Sequence, residues 1–328
     1  MKPKVYICRL IPEKGLEMVK GFAETEVWEG ELPPPRSLIL EKVKDIDGLL
    51  PLLTDRIDAE VMEAAPRLKV ISNYAVGYDN IDVPAATQRG ILVCNTPGVL
   101  TETTADLAWA LLMAAARRIV PGDAFARSGK WKTWGPMLFL GYDIHDATIG
   151  IVGMGRIGVE MAKRARGFSM RLLYHDPVRR PELESELGME YVPLEKLLAE
   201  SDFITLHTPL NEATRHCIGK EELALMKPTA ILINTSRGPV VDQKALYEAL
   251  AERRIGGAAL DVTDPEPPAP DDPILKLDNL TIVPHIGSAS FATRTKMATM
   301  AAENLIAALS GKRPPHPVNP EVLERGGR

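Results

Sequence analysis

Three glycines near the middle of the chain have the spacing of a turn that binds a dinucleotide. Gly153, Gly155 and Gly158 form the pattern G-x-G-x-x-G, and Asp176 follows roughly 20 residues later, where such a site has an acid. The first glycine permits a tight bend, the second lets the backbone approach a pyrophosphate, and the third allows close packing of helix and strand. The carboxylate of Asp176 can accept hydrogen bonds from ribose hydroxyls. These residues therefore indicate a nucleotide site.

The segment around the glycines predicts the strand, helix and strand that such a turn needs. An apolar run at 149–152 precedes the turn, and an amphipathic helix follows it and stops at Gly167. A second apolar run, Met170 to Tyr174, leads to Asp176. The N-terminus of the helix would present N–H groups and a positive dipole end to the phosphates. Three glycines alone could mark a turn without a ligand, but the complete unit favours the dinucleotide site.

Three side chains later in the chain could perform hydride transfer to a carbonyl group. This reaction places negative charge on oxygen, so it needs a cation and an acid. Arg237 carries a permanent charge on a planar fork, and His285 is a natural general acid near neutral pH. Glu266 would favour the protonated form of that histidine. Taken singly, each residue also has a structural explanation: a solvated arginine, a surface glutamate or a structural histidine.

Polar residues follow the predicted strands in this half of the chain. His207-Thr208-Pro209 follows the predicted strand 203–206, and Asn234 to Gly238 follows the strand 230–233. Asp261 follows the strand 257–260, and Pro284-His285 follows the strand 280–283. Ligands of open α/β sheets bind at the carboxyl ends of the strands. The pattern therefore predicts that these residues meet at one edge of a parallel sheet.

Strands alternate with helices along the whole chain, which predicts an α/β fold with two doubly wound parallel sheets. We expect a flavodoxin-like substrate domain formed by residues 1–99 and 289–328, and a Rossmann cofactor domain formed by residues 100–288. A long final helix, Ala292 to Leu309, would return the chain to the first domain. The active site is expected in the cleft, where closure would expel water before hydride transfer.

The segment between the two domains predicts a hinge or a subunit contact. Leu100 to Ala126 is expected to be almost all helix, and its apolar residues from Leu107 to Ala114 predict burial on all sides. Ser128 to Asp146 is an aromatic, loop-like segment. It either packs on the surface as a lid or contributes to the site, and the sequence leaves both interpretations open.

The composition indicates a soluble, cytoplasmic protein without nucleic-acid or membrane partners. The 328 residues are 45% hydrophobic and 25% charged, with a net charge of -5, a pI near 5.8 and no block of Lys and Arg. No metal site is expected, because Cys8, Cys94 and Cys217 are scattered and are interpreted as reduced thiols. The N-terminal apolar run is too short for a signal peptide, and the most apolar helix is too short to span a bilayer.

Several motifs resemble those of the D-isomer-specific 2-hydroxyacid dehydrogenases, over essentially the whole chain. Behind the glycine turn these are N-x-S-R-G (Asn234 to Gly238), D-V-x-x-x-E-P (Asp261 to Pro267) and P-H-I-G-S-A (Pro284 to Ala289). Three others are most similar to the glyoxylate/hydroxypyruvate reductase branch, namely N-Y-A-V-G-Y-D-N-I-D (Asn73 to Asp82), N-T-P-G-V-L-T (Asn95 to Thr101) and W-x-x-W (Trp131 and Trp134).

The resemblance implies a role for individual residues. Arg237 would bind the substrate carboxylate and carbonyl, while His285 would deliver a proton with support from Glu266. The other implied substrate contacts are Leu53 in the pocket wall, the backbone of Val76 and Gly77 at the carboxylate, and Trp134, which would reach the partner's site in a homodimer. The implied cofactor contacts are Arg156 and Ile157 at the pyrophosphate, Asp261 at the nicotinamide carboxamide, and Thr104, Thr208, Pro209, Thr235 and Gly287 along the cleft.

The resemblance also implies an activity, the reduction of glyoxylate to glycolate and of hydroxypyruvate to D-glycerate. Several reductases of this branch have a small residue followed by Arg where this chain has Asp176, and they prefer NADPH. The charge of Asp176 would repel a 2′-phosphate, so NADH is expected over NADPH, although Arg179 and Arg180 could soften the choice. The alternatives are a phosphoglycerate or D-lactate-type dehydrogenase and, in another class, an NAD(H)-sensing corepressor-like binding protein.

Overall fold

A computed structural model describes residues 2–325, and none of the helices in this range is long and apolar enough to cross a membrane. The strands are β1 (Lys4–Ile7), β2 (Glu24–Val27), β3 (Gly48–Leu50), β4 (Val70–Ser72), β5 (Leu92–Cys94), β6 (Thr148–Val152), β7 (Arg171–His175), β8 (Met189–Tyr191), β9 (Phe203–Leu206), β10 (Ile231–Asn234), β11 (Gly257–Leu260) and β12 (Leu280–Ile282). The α-helices are α1 (Glu13–Phe22), α2 (Arg36–Lys42), α3 (Ala59–Glu63), α4 (Val83–Gln88), α5 (Thr101–Ala116), α6 (Ile119–Arg127), α7 (Arg156–Arg166), α8 (Pro181–Leu187), α9 (Leu194–Glu200), α10 (Lys220–Leu225), α11 (Gln243–Ala251), α12 (Phe291–Leu309) and α13 (Glu321–Arg325). Short 3-10 helices lie at Val43–Asp45, Gly238–Val240 and Pro273–Lys276.

The chain divides into two compact units, and the first joins the residues up to Leu100 with those from Ser288 onward. Its five strands form a parallel sheet in the order β2-β1-β3-β4-β5. Helix α12 packs closely on α1 because Gly15 has no side chain; a Cβ there would lie 2.5 Å from the carbonyl carbon of Ala298. The Ser72 hydroxyl donates to the Ala301 carbonyl at 2.8 Å, which ties the same helix to β4.

The second unit, Thr101–Gly287, contains a seven-stranded parallel sheet in the order β12-β11-β10-β9-β6-β7-β8. Every residue of β9, β10 and β11 is buried, as expected for strands covered on both faces. Strand β6 lies between β7 and β9, so the strand order reverses there, and such a reversal opens a ligand crevice at the carboxyl ends. The predicted α/β class with two doubly wound parallel sheets is confirmed.

Residues 100–126 are almost all helical, as predicted, but Arg118 has a left-handed φ of 51° that separates α5 from α6. The expectation that this helix is buried on all sides was wrong: Ala105 is fully buried, whereas Ala110 is exposed. Part of the apolar run of α5 is therefore exposed on the surface of the single chain.

The sequence analysis also missed α8 and β8, which lie between Asp176 and Leu194. Strand β8 extends the sheet beside β7, and Tyr191 on it packs against Tyr174 with ring centroids 5.3 Å apart. Both elements are short, and α8 alternates acidic residues with only two leucines. Such a segment shows too few periods of apolar residues to distinguish it from a loop.

Candidate active site

The glycine turn at the end of β6 is shaped by two neighbouring backbone segments. Gly153 has a φ of 93°, and a Cβ there would lie 2.8 Å from the carbonyl carbon of His207. A Cβ on Gly158 would lie 2.2 Å from the Gly153 carbonyl oxygen. In contrast, a Cβ on Gly155, which caps α7, would meet no protein atom within 4 Å. The fold therefore requires glycine at the first and third positions, while the second faces open space that a ligand can fill.

The Asp176 carboxylate braces this turn. Its Oδ2 accepts from the Met154 N–H at 2.7 Å and its Oδ1 from the Val178 N–H at 2.8 Å. A carboxylate oxygen can accept more than one hydrogen bond, so Asp176 retains acceptor capacity for a ribose hydroxyl. The acid thus braces the fold and leaves an acceptor for the predicted site.

Arg179, which could have bound a 2′-phosphate, is paired with Glu184. Its Nε and one terminal nitrogen each donate to that carboxylate at 2.8 Å, and its guanidinium carbon lies 5.8 Å from the centre of the Tyr191 ring. The hydrogen bonds from Arg179 and Tyr174 lower the pKa of Glu184 to about 2. Sequence reasoning missed Glu184, because it lies on the helix α8 that was not predicted.

Two threonines at the carboxyl ends of neighbouring strands have buried hydroxyls without a protein partner. Thr208 follows β9 and Thr235 follows β10, and the Oγ1 atom of each is buried and makes no hydrogen bond. Pro209, next to the first, is exposed, and Thr104 of α5 lies beside Gly287. Buried polar groups normally have partners. The unpaired hydroxyls, the open second glycine and the Asp176 carboxylate therefore fit a bound dinucleotide.

His285 and Glu266 form an ion pair at the same edge. The Nδ1 atom of His285 lies 2.6 Å from Glu266 Oε1, and the side chains are 24% and 34% exposed, so solvent and substrate can reach them. His285 adopts a φ of 52°, which is uncommon for residues other than glycine. Its N–H is held by the carbonyl oxygens of Asp261 and Val283 at 2.9 and 3.1 Å. These bonds fix the backbone of His285, and Glu266 holds the ring at Nδ1. Nε2 is therefore the ring nitrogen that Glu266 does not contact.

Arg237 follows β10 in a loop that Asn234 holds from inside. The Asn234 amide donates to the Arg237 carbonyl at 2.9 Å, and its Oδ1 accepts from the N–H and the hydroxyl of Ser236 at 3.0 and 2.8 Å. A Cβ on Gly238 would lie 1.8 Å from the carbonyl oxygen of Thr263. This close contact brings the loop of Arg237 against the loop that leads to Glu266.

Asp261, a predicted cofactor contact, supports the loop that follows His285. Its Oδ1 accepts from the Ile286 N–H at 2.6 Å and its Oδ2 from the Gly287 N–H at 2.9 Å. Burial raises the pKa of the Asp261 carboxyl. The sequence suggested only a contact with nicotinamide, and the structure adds this backbone role.

The predicted substrate residues of the first unit lie on two loops. Leu53 follows β3, and Val76 and Gly77 follow β4. Asn95 donates to the Val76 carbonyl at 2.7 Å and Asn73 to the Gly77 carbonyl at 2.9 Å. These bonds engage the carbonyl groups and do not consume the N–H groups. Both asparagines stand in motifs that the sequence analysis quoted, but their partners are not apparent from spacing.

The aromatic segment 128–146 contains no helix or strand, and most of its large apolar side chains are exposed, although Ile144 is buried. Trp134 is 78% exposed and Trp131 61%. Other exposed large apolar residues of this segment and of α6 are Ile119, Val120, Met137, Leu138, Leu140 and Tyr142. An apolar surface of this extent is typical of an interaction site.

Comparison with known proteins decides the family. A sequence model described as D-isomer specific 2-hydroxyacid dehydrogenase, NAD binding domain, matches residues 109–287. The chain belongs to this dehydrogenase family. The dehydrogenase is 61% identical to a glyoxylate reductase of Korarchaeum cryptofilum, over 99% of its own chain and 98% of that protein.

Two solved structures resemble the dehydrogenase over nearly the whole chain. A protein from Thermus thermophilus is 50% identical with a TM-score of 0.91, covering 96% of this chain and 99% of the other. An NADPH-dependent glyoxylate/hydroxypyruvate reductase from Sinorhizobium meliloti, solved with NADP and malonate, is 32% identical with a TM-score of 0.87 and 97% coverage of both chains. The predicted family and enzyme class are confirmed: the protein is an NAD(P)-dependent dehydrogenase whose second unit contains the NAD-binding domain.

Proposed function

We propose that the dehydrogenase is a glyoxylate reductase, which reduces glyoxylate to glycolate and hydroxypyruvate to D-glycerate. The observation that carries this proposal is the Glu266–His285 ion pair, at 2.6 Å, on the sheet edge that also bears the glycine turn. The 61% identity to a glyoxylate reductase supports the choice of substrate. The nicotinamide cofactor, when bound, supplies the hydride for the carbonyl carbon.

His285 is proposed as the general acid for the carbonyl oxygen. Because Glu266 accepts the hydrogen bond at Nδ1, the proton for the substrate resides on Nε2. The carboxylate fixes the ring through the hydrogen bond at Nδ1. As the oxygen gains negative charge it takes the Nε2 proton, and the neutral imidazole remains bonded to Glu266 through Nδ1–H.

Arg237 is proposed to bind the substrate carboxylate and to polarise its carbonyl. A guanidinium offers donors in a planar fork, so it can contact both oxygen groups of a 2-oxo acid. Its positive charge stabilises the oxyanion that hydride transfer creates. The hydrogen bonds between Asn234 and this loop, one donated to the Arg237 carbonyl and one accepted from the Ser236 N–H, support a fixed position for the arginine backbone.

The loops of the first unit are proposed to hold the acid end of the substrate. The N–H groups of Val76 and Gly77 would donate to the carboxylate, and Leu53 would line the space next to the carbonyl substituent. A phosphorylated substrate would need extra cations, and Leu52 and Leu53 provide none, which disfavours a phosphoglycerate dehydrogenase. A D-lactate-type enzyme remains the alternative within the family, and the complete set of Arg237, Glu266 and His285 disfavours a corepressor-like sensor.

The cofactor is proposed to lie along the carboxyl edge of the second sheet. Its proposed contacts are Gly153, Gly155, Arg156, Ile157 and Gly158 at the pyrophosphate, Asp176 at the ribose, Thr104, Thr208, Pro209, Thr235 and Gly287 along the dinucleotide, and Asp261 at the carboxamide. We propose NADH over NADPH, because Asp176 is an anion and Arg179 is already paired with Glu184. Arg180 is the other nearby cation, and its Nη1 atom lies 4.0 Å from Glu182 Oε1.

A cytoplasmic homodimer is proposed as the working form of the enzyme. The exposed apolar residues of α6 and of segment 128–146, including Trp134 at 78% exposure, support a contact between two copies of the chain. In such a dimer Trp134 is proposed to reach the partner's site.

A panel of 2-oxo acids, assayed with NADH and with NADPH, tests the activity, the substrate and the cofactor together. We expect kcat/KM to be highest for glyoxylate, lower for hydroxypyruvate, and at least about tenfold higher with NADH than with NADPH, which corresponds to roughly 1.4 kcal/mol. A preference for pyruvate would support the D-lactate-type alternative, and binding of NADH without turnover of any acid would support the sensor. A clear preference for NADPH would refute the role given to Asp176.

A further inference from the structure

Two asparagines of the first unit connect the loops that carry the proposed substrate contacts. The Asn80 amide donates to the carbonyl oxygens of Leu52 and Asp55, both at 3.0 Å. The Asn73 amide donates to the Gly77 carbonyl at 2.9 Å and to Asn80 Oδ1 at 3.1 Å. The two side chains therefore form a bridge from the loop after β3 (residues 52–55, the β3 loop) to the loop after β4 (residues 76–79, the β4 loop).

The β3 loop is also closed on itself, so the bridge can position it as one body. Asp55 is 2% exposed, its Oδ2 accepts from the Leu52 N–H at 2.8 Å, and its own N–H donates to the Leu52 carbonyl at 3.0 Å. Asn80 thus donates hydrogen bonds to the carbonyl groups of Leu52 and Asp55, the first and last residues of this closed turn. The residue carried inside this turn is Leu53, the proposed wall of the substrate pocket.

We propose that the Asn73–Asn80 pair sets the separation of the β3 and β4 loops, and thereby the size of 2-oxo acid that the dehydrogenase accepts. The inference rests on the proposed function, because it takes Leu53 and the Val76–Gly77 backbone as substrate contacts. The pair bonds only to carbonyl groups and to itself, so it anchors the loops without consuming the N–H groups that would bind a carboxylate. Asn73 and Asn80 are therefore positioning residues.

The Asn80→Ala variant tests this role through the separation of KM from kcat. A substrate contact used equally in the ground state and the transition state changes KM when it is lost. We expect the KM for glyoxylate to rise by about tenfold, with kcat within about threefold and the Kd for NADH unchanged. The ratio of kcat/KM for glyoxylate to that for the larger 2-oxobutyrate should fall, because Leu53 is no longer held in place.

Asn319→Ala is the matched control. Like Asn80, Asn319 lies in the first unit and donates from its amide to a backbone carbonyl, that of Ile91. It is 1% exposed, and it also bonds to the Val93 N–H and the Thr87 hydroxyl. The Asn319→Ala variant should have a lower Tm, as Asn80→Ala does, but an unchanged KM for glyoxylate. The proposal is wrong if Asn80→Ala lowers the Tm and leaves KM and substrate preference unchanged, or if Asn319→Ala raises KM equally.

Asn80→Asp and hydrogen exchange separate this inference from the proposed function. The aspartate would face the two carbonyl oxygens without a donor, so those bonds are lost while the fold keeps an isosteric side chain. Amide exchange in the absence of substrate should become faster in both the β3 loop and the β4 loop. Unchanged exchange in either loop overturns the coupling. Faster exchange in a protein that reduces no 2-oxo acid would preserve the coupling and reject the proposed function.

Discussion

The loops of the proposed cofactor contacts in the second unit and the loop of the proposed carboxylate contacts in the first unit are braced by opposite kinds of side chain. In the second unit the carboxylates of Asp176 and Asp261 accept from backbone N–H groups. In the first unit the amides of Asn73 and Asn95 donate to backbone carbonyls. The aspartates occupy backbone N–H groups and add negative charge. The asparagines occupy backbone carbonyl groups and add no charge.

This difference matches the ligands proposed for the two edges. Ribose hydroxyls and a carboxamide offer donors, so the second unit gains from acceptors that also brace its turns. A substrate carboxylate requires donors, so the first unit gains when its carbonyl groups are occupied and its N–H groups are not. At these loops the bracing side chain, aspartate or asparagine, thus matches the polarity of the proposed ligand, whereas Asp55 in the first unit and Asn234 in the second brace their loops in the opposite way.

Arg237→Ala should have the largest effect, because Arg237 is the proposed cation at the second edge. We expect kcat/KM for glyoxylate to fall by about a thousandfold, the scale seen when a donor to a developing oxyanion is removed. The Kd for NADH, measured by fluorescence, should stay unchanged. Arg237→Lys is the control. It keeps the charge but loses the planar fork, so its kcat/KM should lie between those of the wild type and Arg237→Ala. Near-normal turnover of Arg237→Ala would mean that the first unit alone binds the anion.

Gly158→Ala and Gly155→Ala should separate a glycine required by the fold from one required by the ligand. A Cβ on Gly158 would lie 2.2 Å from a backbone oxygen, so we expect a loss of stability of about 1–3 kcal/mol, seen as a lower Tm. Gly155 has a φ of -78° and open space around it, so its variant should keep the wild-type Tm. Its affinity for NADH should nevertheless fall by about tenfold or more. Equal losses of Tm, or wild-type NADH binding by Gly155→Ala, would contradict this division.

His207 should give the smallest effect, a dependence of stability on pH. Burial lowers the pKa of His207 to about 3, its Nε2 bonds to Thr205 at 2.8 Å and its Nδ1 is buried. The unfolded chain takes up the proton near pH 6.5. The stabilisation is therefore complete above about pH 6.5 and is lost as the pH falls towards 3, by at most about 1.4 kcal/mol per unit.

Urea unfolding at pH 7 and pH 5 measures this dependence. The free energy of unfolding should fall less between these pH values in His207→Gln than in the wild type. Asp55 provides the opposite case in the first unit, because burial raises its pKa and the folded state then binds the extra proton. Asp55→Asn should therefore make the loss of stability in acid larger. Identical pH profiles for all three proteins would show that neither side chain titrates on unfolding.

Local patterns predicted most of the fold and the residue types of the site. Strands β9 and β11 have the predicted bounds, because four-residue apolar runs between polar turns leave little choice. The break at Arg118 was missed, since a single left-handed residue leaves the apolar periodicity intact. Glu184 was missed because its importance depends on Arg179 reaching it, which no spacing rule encodes.

The sequence by itself determined the α/β class, and it was sufficient to propose the dinucleotide turn and the set of groups for hydride transfer. Each of these depends on residues close in the chain, where strand and helix periods and glycine conformations act directly. Only the tertiary structure decided that Glu266 reaches His285, that Glu184 pairs with Arg179, and that Asn80 holds the β3 loop. The contacts of Glu266 and Asn80 join separate loops, whose paths are set by packing of the whole unit. Glu184 and Arg179 are only five residues apart, but their pairing depends on α8, which the local pattern did not predict.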